Sequence, residues 1–131
     1  MFLLDTNICI YLIKAHPKSV VDNIEKYKPF QIKISSVTVA ELEYGVFKSE
    51  HKDKNRQILL KFLSPFDILH FDDRDAEYYG RIRAYLENAG ILIGPYDMQI
   101  AAQALSKDLI LVSNNVREFD RVPNLKLENW V

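Results

Sequence analysis

Short apolar runs alternate along this chain with longer stretches whose apolar residues recur every three or four positions. The first kind reads as buried strand and the second as amphipathic helix. Met1 to Leu4 is such a run, and it passes directly into Thr6 to Lys14, of helical length and with an Asp/Thr start signal. Pro17 suits the first turn of a second helix with Val20, Val21 and Ile24 on one face. Ile32 to Ser35 reads as a strand. Ser36 and Thr38 then offer N-caps for a helix to about Ser49, and Thr38 with Glu41 has capping-box spacing. Residues 52 to 63 are helical again, with Ile58, Leu59, Phe62 and Leu63 apolar.

Phe66 to Phe71 is the third strand expected. Asp72, Asp73 and Asp75 open a long helix to about Asn88, which Gly90 stops. Gly94-Pro95 starts a helix from Tyr96 to about Lys107. Leu109 to Val112 is wholly apolar and therefore expected at the centre of a parallel sheet. A helical turn at Val116 to Phe119 and an edge strand at Leu125 to Glu128 complete the pattern. Such alternation predicts an α/β fold, a mainly parallel sheet with helices on both faces. Residues 1–131 are expected to form a single domain.

Composition narrows the setting. The single Cys excludes an internal disulfide and a Cys/His zinc site. No apolar run has the length of a membrane span, and the N-terminus lacks the basic start of a signal peptide, so a reducing cytoplasm is the expected location. With 17 basic against 18 acidic residues, the chain lacks the strongly basic character of many nucleic-acid binders. Any such activity must rest on local placement of charge.

In a parallel α/β sheet, helix N-termini gather where the strands end, the edge at which these folds bind ligands. Asp5 closes the first strand, Glu41 lies one turn into the helix after the second, and Asp97 is in the first turn of the helix at 95. Ser113, Asn114 and Asn115 follow the strand at 109, with Glu118 on the same face as Asn115. Converging carboxylates repel one another unless cations are present, and an oxygen-rich set suits Mg²⁺ or Mn²⁺. The chemistry inferred is metal-dependent phosphodiester hydrolysis. Each acid also has a plain structural reading. Asp5 could be an N-cap, Asp97 a first-turn acid, Glu41 a capping-box partner, Asn115 a turn residue and Glu118 a solvated helix acid.

Leu3-Leu4-Asp5-Thr6-Asn7, Ser35-Ser36-Val37-Thr38-Val39-Ala40-Glu41-Leu42, Ile93-Gly94-Pro95-Tyr96-Asp97 and Val112-Ser113-Asn114-Asn115-Val116-Arg117-Glu118-Phe119, in this order, resemble the PIN-domain ribonuclease toxins of the VapC type. The resemblance covers nearly the whole chain. It implies a PIN-like fold and an Mg²⁺- or Mn²⁺-dependent endoribonuclease, neutralised by a VapB-type antitoxin that covers the site. It also implies a homodimer and a toxin–antitoxin hetero-oligomer. By position, Asp5 and Asp97 match the principal metal ligands, with Glu41 the third catalytic acid and Glu118 the fourth. Thr6, Asn7 and Ser113 would support the first loop and the site floor. Asn115 stands where many PIN nucleases carry Asp, so it adds a hydrogen bond and no charge. The Asn-Asn-x-x-Glu-Phe arrangement resembles a VapC subgroup that cuts initiator tRNA in the anticodon loop, which implies a tRNA substrate.

Candidate RNA contacts are Lys48, Lys52, Lys54, Arg56, Arg81, Arg83 and Arg117, of which Arg117 stands nearest the proposed edge. Asp72, Asp73 and Asp75 read as cap and first-turn acids, Cys9 as a buried apolar residue, and Trp130 as packing for the C-terminal end or a dimer surface rather than a stacking partner for a base. Tyr44 and Phe47 could line a groove for the antitoxin or pack in the core. Two alternatives remain: a catalytically degenerate PIN module that only binds RNA or protein, and a receiver-like signalling domain. The strand at 109 is not followed by the Lys a receiver requires.

Overall fold

The computed structural model describes residues 1–131. Phe2–Leu4 (β1), Ile32–Ser35 (β2), Asp67–Leu69 (β3), Ile110–Val112 (β4) and Leu127–Glu128 (β5) form one sheet in the order β3-β2-β1-β4-β5. Every pairing is parallel, with Leu4 opposite both Ile34 and Val112. The expected α/β architecture is present, but β1 takes the central place and β4 lies beside it. β3 is shorter than the apolar run around it because it pairs only with β2, over three residues, and its other edge has no partner strand.

The helices are Thr6–Lys14 (α1), Lys18–Ile24 (α2), Ser36–Phe47 (α3), Lys52–Leu63 (α4), Asp73–Asn88 (α5), Pro95–Ser106 (α6) and Val116–Phe119 (α7), with a short 3₁₀ turn at Pro29–Gln31. Pro17 is the N-cap of α2 rather than part of its first turn. Successive strand residues point to opposite faces and so divide the apolar residues between two cores. Phe2, Leu4, Ile32, Ile34 and Val112 pack with Ile8, Leu42 and Leu59 from α1, α3 and α4. Leu3 and Leu111 pack on the other face with Ile82, Leu86, Met98 and Phe119 from α5, α6 and α7. Trp130 closes the first core, edge-on to Phe2 at 5.4 Å and stacked on Tyr27 at 5.7 Å.

Ser35, not Ser36 or Thr38, caps α3, its hydroxyl accepting from the Val37 N–H at 3.0 Å. The Ser36 hydroxyl accepts instead from the Phe71 N–H beyond β3. Asp72 and Asp75 form a reciprocal capping box on α5, and Lys107 pairs with both, at 2.6 and 3.0 Å. Asp75 is fully buried and also accepts from the Ser106 hydroxyl, so this acidic run fastens α5 to the end of α6. Lys107 and the Asp75 N–H together hold the Asp72 carboxyl well below the usual range, at about 2.

Gly90 ends α5 in the left-handed conformation, φ +72, where the Gly90 and Ile91 N–H groups donate to Glu87 and Leu86. Nothing lies within 4 Å of a Cβ built there. Gly90→Ala is therefore expected to cost only the backbone strain, about 1 kcal/mol in urea unfolding.

Candidate active site

β1, β2 and β3 extend the sheet one way from the centre, while β4 and β5 extend it the other way. The strand order therefore reverses between β1 and β4, and in open α/β sheets ligands bind at the carboxyl ends beside such a reversal. Asp5 follows β1 and Ser113 follows β4 at that point, with the Asp5 N–H donating to Val112 O at 3.0 Å.

Asp5 is an N-cap and a site residue at once. Its Oδ1 accepts from the Ile8 N–H at 2.9 Å, which fixes the start of α1. The side chain is only 4% exposed, and burial raises its pKa. Hydrogen bonds from the Ser113 hydroxyl and the Ile8 N–H oppose this rise, and the Glu41 charge adds to it.

Asp97 lies in the first turn of α6, which Pro95 starts. Its pKa is raised to about 6, first by burial and then by the charges of Asp5, Glu118 and Glu41. A first-turn acid is normally stabilised as the anion by the helix dipole, so burial and repulsion outweigh that effect. The repulsion joins four acids from four segments of the chain into one cluster.

Each flanking acid has a polar partner. Thr6 donates to Glu41 Oε1 at 2.7 Å, and the buried Thr38 hydroxyl lies 3.4 Å from Thr6. Glu41 therefore faces α1 and does not close the capping box expected with Thr38. Asn115 Nδ2 donates to Glu118 Oε2 at 2.8 Å, while the Asn115 N–H donates to Ser113 Oγ at 2.9 Å. Asn115 thus steers Glu118 without adding charge. Thr6→Val is expected to lower any cleavage activity roughly ten-fold by freeing Glu41. Its thermal melting should stay close to that of wild type, because the hydroxyl is only partly buried.

The donor set is entirely oxygen, which suits Mg²⁺ or Mn²⁺ rather than zinc or copper. No three acidic, His or Cys side chains close into a protein cage around one point. Mg²⁺ usually keeps several waters and takes one or two carboxylates, so Asp5 and Asp97 are sufficient candidates to hold it. Cys9 is buried, and both burial and Asp5 push its thiol pKa upward, so it is no nucleophile.

Asn7 is exposed at the site, and its N–H also points to Asp5. Lys48 caps the end of α3 and lines a recess shared with Thr6, Asn7 and Glu41. Arg117 is exposed on α7 beside Glu118. Arg81 is not brought to this edge. It pairs with Glu77 and lines a hollow with Asp108 and Asn124, which precede β4 and β5 at the opposite edge. Arg56 is held by both carboxylate oxygens of Glu43 and ties α4 to α3. Tyr44 and Phe47 are 67% and 58% exposed, which removes the core-packing reading for both. Two residues went unassigned to the site in the sequence, Tyr96 and the supporting Thr38. Tyr96 immediately precedes Asp97, but an isolated exposed Tyr leaves no periodic signal.

An α/β sheet with these acids at its reversal point defines a PIN-like architecture, and the PIN domain family model matches residues 2–125. The chain is 47% identical to "Ribonuclease VapC2" of Rickettsia felis over 131 residues, covering 99% of this chain and 98% of the relative. It is 45% identical to "tRNA(fMet)-specific endonuclease VapC" of Shigella flexneri, covering 98% of this chain and 97% of the relative. A crystal structure of VapBC2 from Rickettsia felis bound to a promoter DNA fragment superposes with a TM-score of 0.91 at 45% identity, covering 99% of this chain and 98% of that one. The chain belongs to the PIN-domain family, on its VapC ribonuclease branch.

Proposed function

We propose that this chain is the metal-dependent endoribonuclease toxin of a toxin–antitoxin pair, working in the cytoplasm and cutting initiator tRNA in the anticodon loop. The observation that carries the reading is the repulsive carboxylate cluster around Asp97 at the sheet's reversal point. The tRNA target draws support from the Shigella flexneri relative's name.

Asp5 and Asp97 would hold one Mg²⁺ or Mn²⁺ with its remaining waters. The ion, when bound, offsets the charge of the scissile phosphodiester and lowers the cost of deprotonating water. Glu41, oriented by the hydrogen bond from Thr6, would accept the proton of the attacking water. Glu118, held by Asn115, is the carboxylate available for a second ion. Arg117 and Lys48 are the local cations on hand for neighbouring phosphates.

A VapB-type antitoxin is the proposed protein partner. An apolar groove of about 380 Å³ between α1, α3 and α4 is lined by Ile10, Ile13, Leu42, Val46, Ile58 and Leu59. It shares Ile10, Glu41 and Gly45 with the recess at the acids. An antitoxin segment lying in the groove would therefore reach the site. Homodimerisation is proposed as well, on the family resemblance.

The test is incubation of the purified chain with total tRNA and Mg²⁺, Mn²⁺ or EDTA. One discrete cut in initiator tRNA is expected with either ion and none with EDTA. No cleavage with either ion would sink the nuclease reading, and equal cleavage in EDTA would sink the metal dependence.

A further inference from the structure

We propose that the recess beside the acids is a nucleobase-binding subsite, in which Tyr44 and Tyr96 stack an unpaired base of the RNA and Lys48 takes its phosphate. This rests on the nuclease reading above. The recess has a volume of about 600 Å³, and its lining combines Glu41 of the acidic cluster and the neighbouring Thr6 and Asn7 with Tyr44, Lys48 and Tyr96. That volume lies in the range of pockets that enclose small organic ligands, so a base with its ribose fits.

Both rings are left open to solvent, Tyr44 at 67% and Tyr96 at 56%, and neither contributes to either core. α3 buries Thr38, Leu42 and Val46, and α6 buries Met98 and Ile100, so the two tyrosines project from faces the fold does not use. Lys48 Nζ stands 5.1 Å from the centre of the Tyr44 ring, a cation held at the rim of the same recess.

The charge balance gives this arrangement a reason. A chain of net charge −1 that gathers carboxylates at its site cannot draw RNA in by bulk electrostatics. Stacking on aromatic faces does not depend on net charge, and it is the usual means of holding unpaired bases in single-stranded RNA. A base splayed from a loop into the recess would lie next to Glu41, with Thr6 and Tyr96, the chain neighbours of Asp5 and Asp97, at its wall.

The experiment measures RNA cleavage by the full chain as wild type, Tyr44→Ala, Tyr96→Ala, Tyr44→Phe, Tyr96→Phe and Phe30→Ala. Phe30 is an exposed ring in the 3₁₀ turn before β2, away from the site. Each tyrosine-to-alanine change is expected to lower kcat/KM by about ten-fold or more, chiefly through KM, while both phenylalanine variants and Phe30→Ala stay near wild type. Alanine variants that cut like wild type, or phenylalanine variants that lose as much, would overturn the subsite. Normal cleavage with lost antitoxin binding would assign the recess to a protein side chain and overturn it as well.

A second readout needs no turnover. In the Asp97→Asn variant, adenosine monophosphate and a short single-stranded oligoribonucleotide should shift the ring NMR signals of Tyr44 and Tyr96 and leave those of Tyr27 unmoved. Unshifted rings would overturn the subsite whether or not the chain cleaves RNA. Shifted rings in a chain whose wild type cuts nothing would retain the subsite and reject the nuclease reading.

Discussion

Asp5→Asn is expected to abolish RNA cleavage, by about a thousand-fold or more, while leaving the protein folded. The two effects separate because Asp5 does two jobs through different properties. As N-cap of α1 it needs only a side-chain oxygen for the Ile8 N–H, and Asn caps about as well as Asp. As a proposed metal ligand it would need a negative charge to hold a divalent cation, and Asn has none. Loss of a Lewis acid worth several kcal/mol corresponds to rate losses of this order. Asp5→Ala gives the contrast, since it also removes the cap and should cost a further ~1 kcal/mol of stability. Cleavage of tRNA measured beside thermal melting checks both. An Asp5→Asn variant that still cuts at a tenth of the wild-type rate would remove Asp5 from the metal site.

The same double use explains why the sequence could be read only so far. β1 and β4 are legible because a buried parallel strand must be apolar on both faces, and β2 because Ile32 and Ile34 alternate with Lys33, which pairs with Asp67 of β3. The Gly90 stop and the caps at Asp5 and Asp72 are legible because backbone groups within a turn of each other decide them. Glu41 was different. Its spacing from Thr38 fits a capping box, but its actual partner is Thr6, 35 residues earlier, which only the pairing of β1 with β2 brings near. Ser36 was misread in the same way, because the N–H it serves belongs to Phe71 on the far side of β3. Arg117 is placed near the edge by its neighbour Glu118, but nothing local to Arg81 shows that the fold sends it to the opposite edge of the sheet. Placement across the sheet is carried by long-range packing, which no local window contains.

Asp97→Asn should stabilise the metal-free protein at neutral pH even as it removes cleavage. Burial and the charges of Asp5, Glu118 and Glu41 raise the Asp97 pKa from 3.8 to about 6. A carboxyl with a higher pKa in the folded than in the unfolded chain binds its proton more tightly when folded. Its contribution to stability is therefore fully present below pH 3.8 and is lost as pH rises through about 6. Asn carries no charge at any pH and escapes that loss. At pH 7.5 in EDTA the variant should melt a few degrees above wild type, about 2–4 °C, and the advantage should vanish towards pH 4. Other carboxyls titrate over the same range, so the difference between the two proteins, and not either curve alone, isolates Asp97. Millimolar Mg²⁺ or Mn²⁺ should reverse the order, because a ligand that binds only the folded state stabilises it, and wild type holds the ion more tightly. A variant that melts below wild type in EDTA at pH 7.5 would show that Asp97 is not under repulsion. In that case the first-turn interaction of Asp97 with the α6 dipole, worth about 0.3–1 kcal/mol, would be its main contribution to stability.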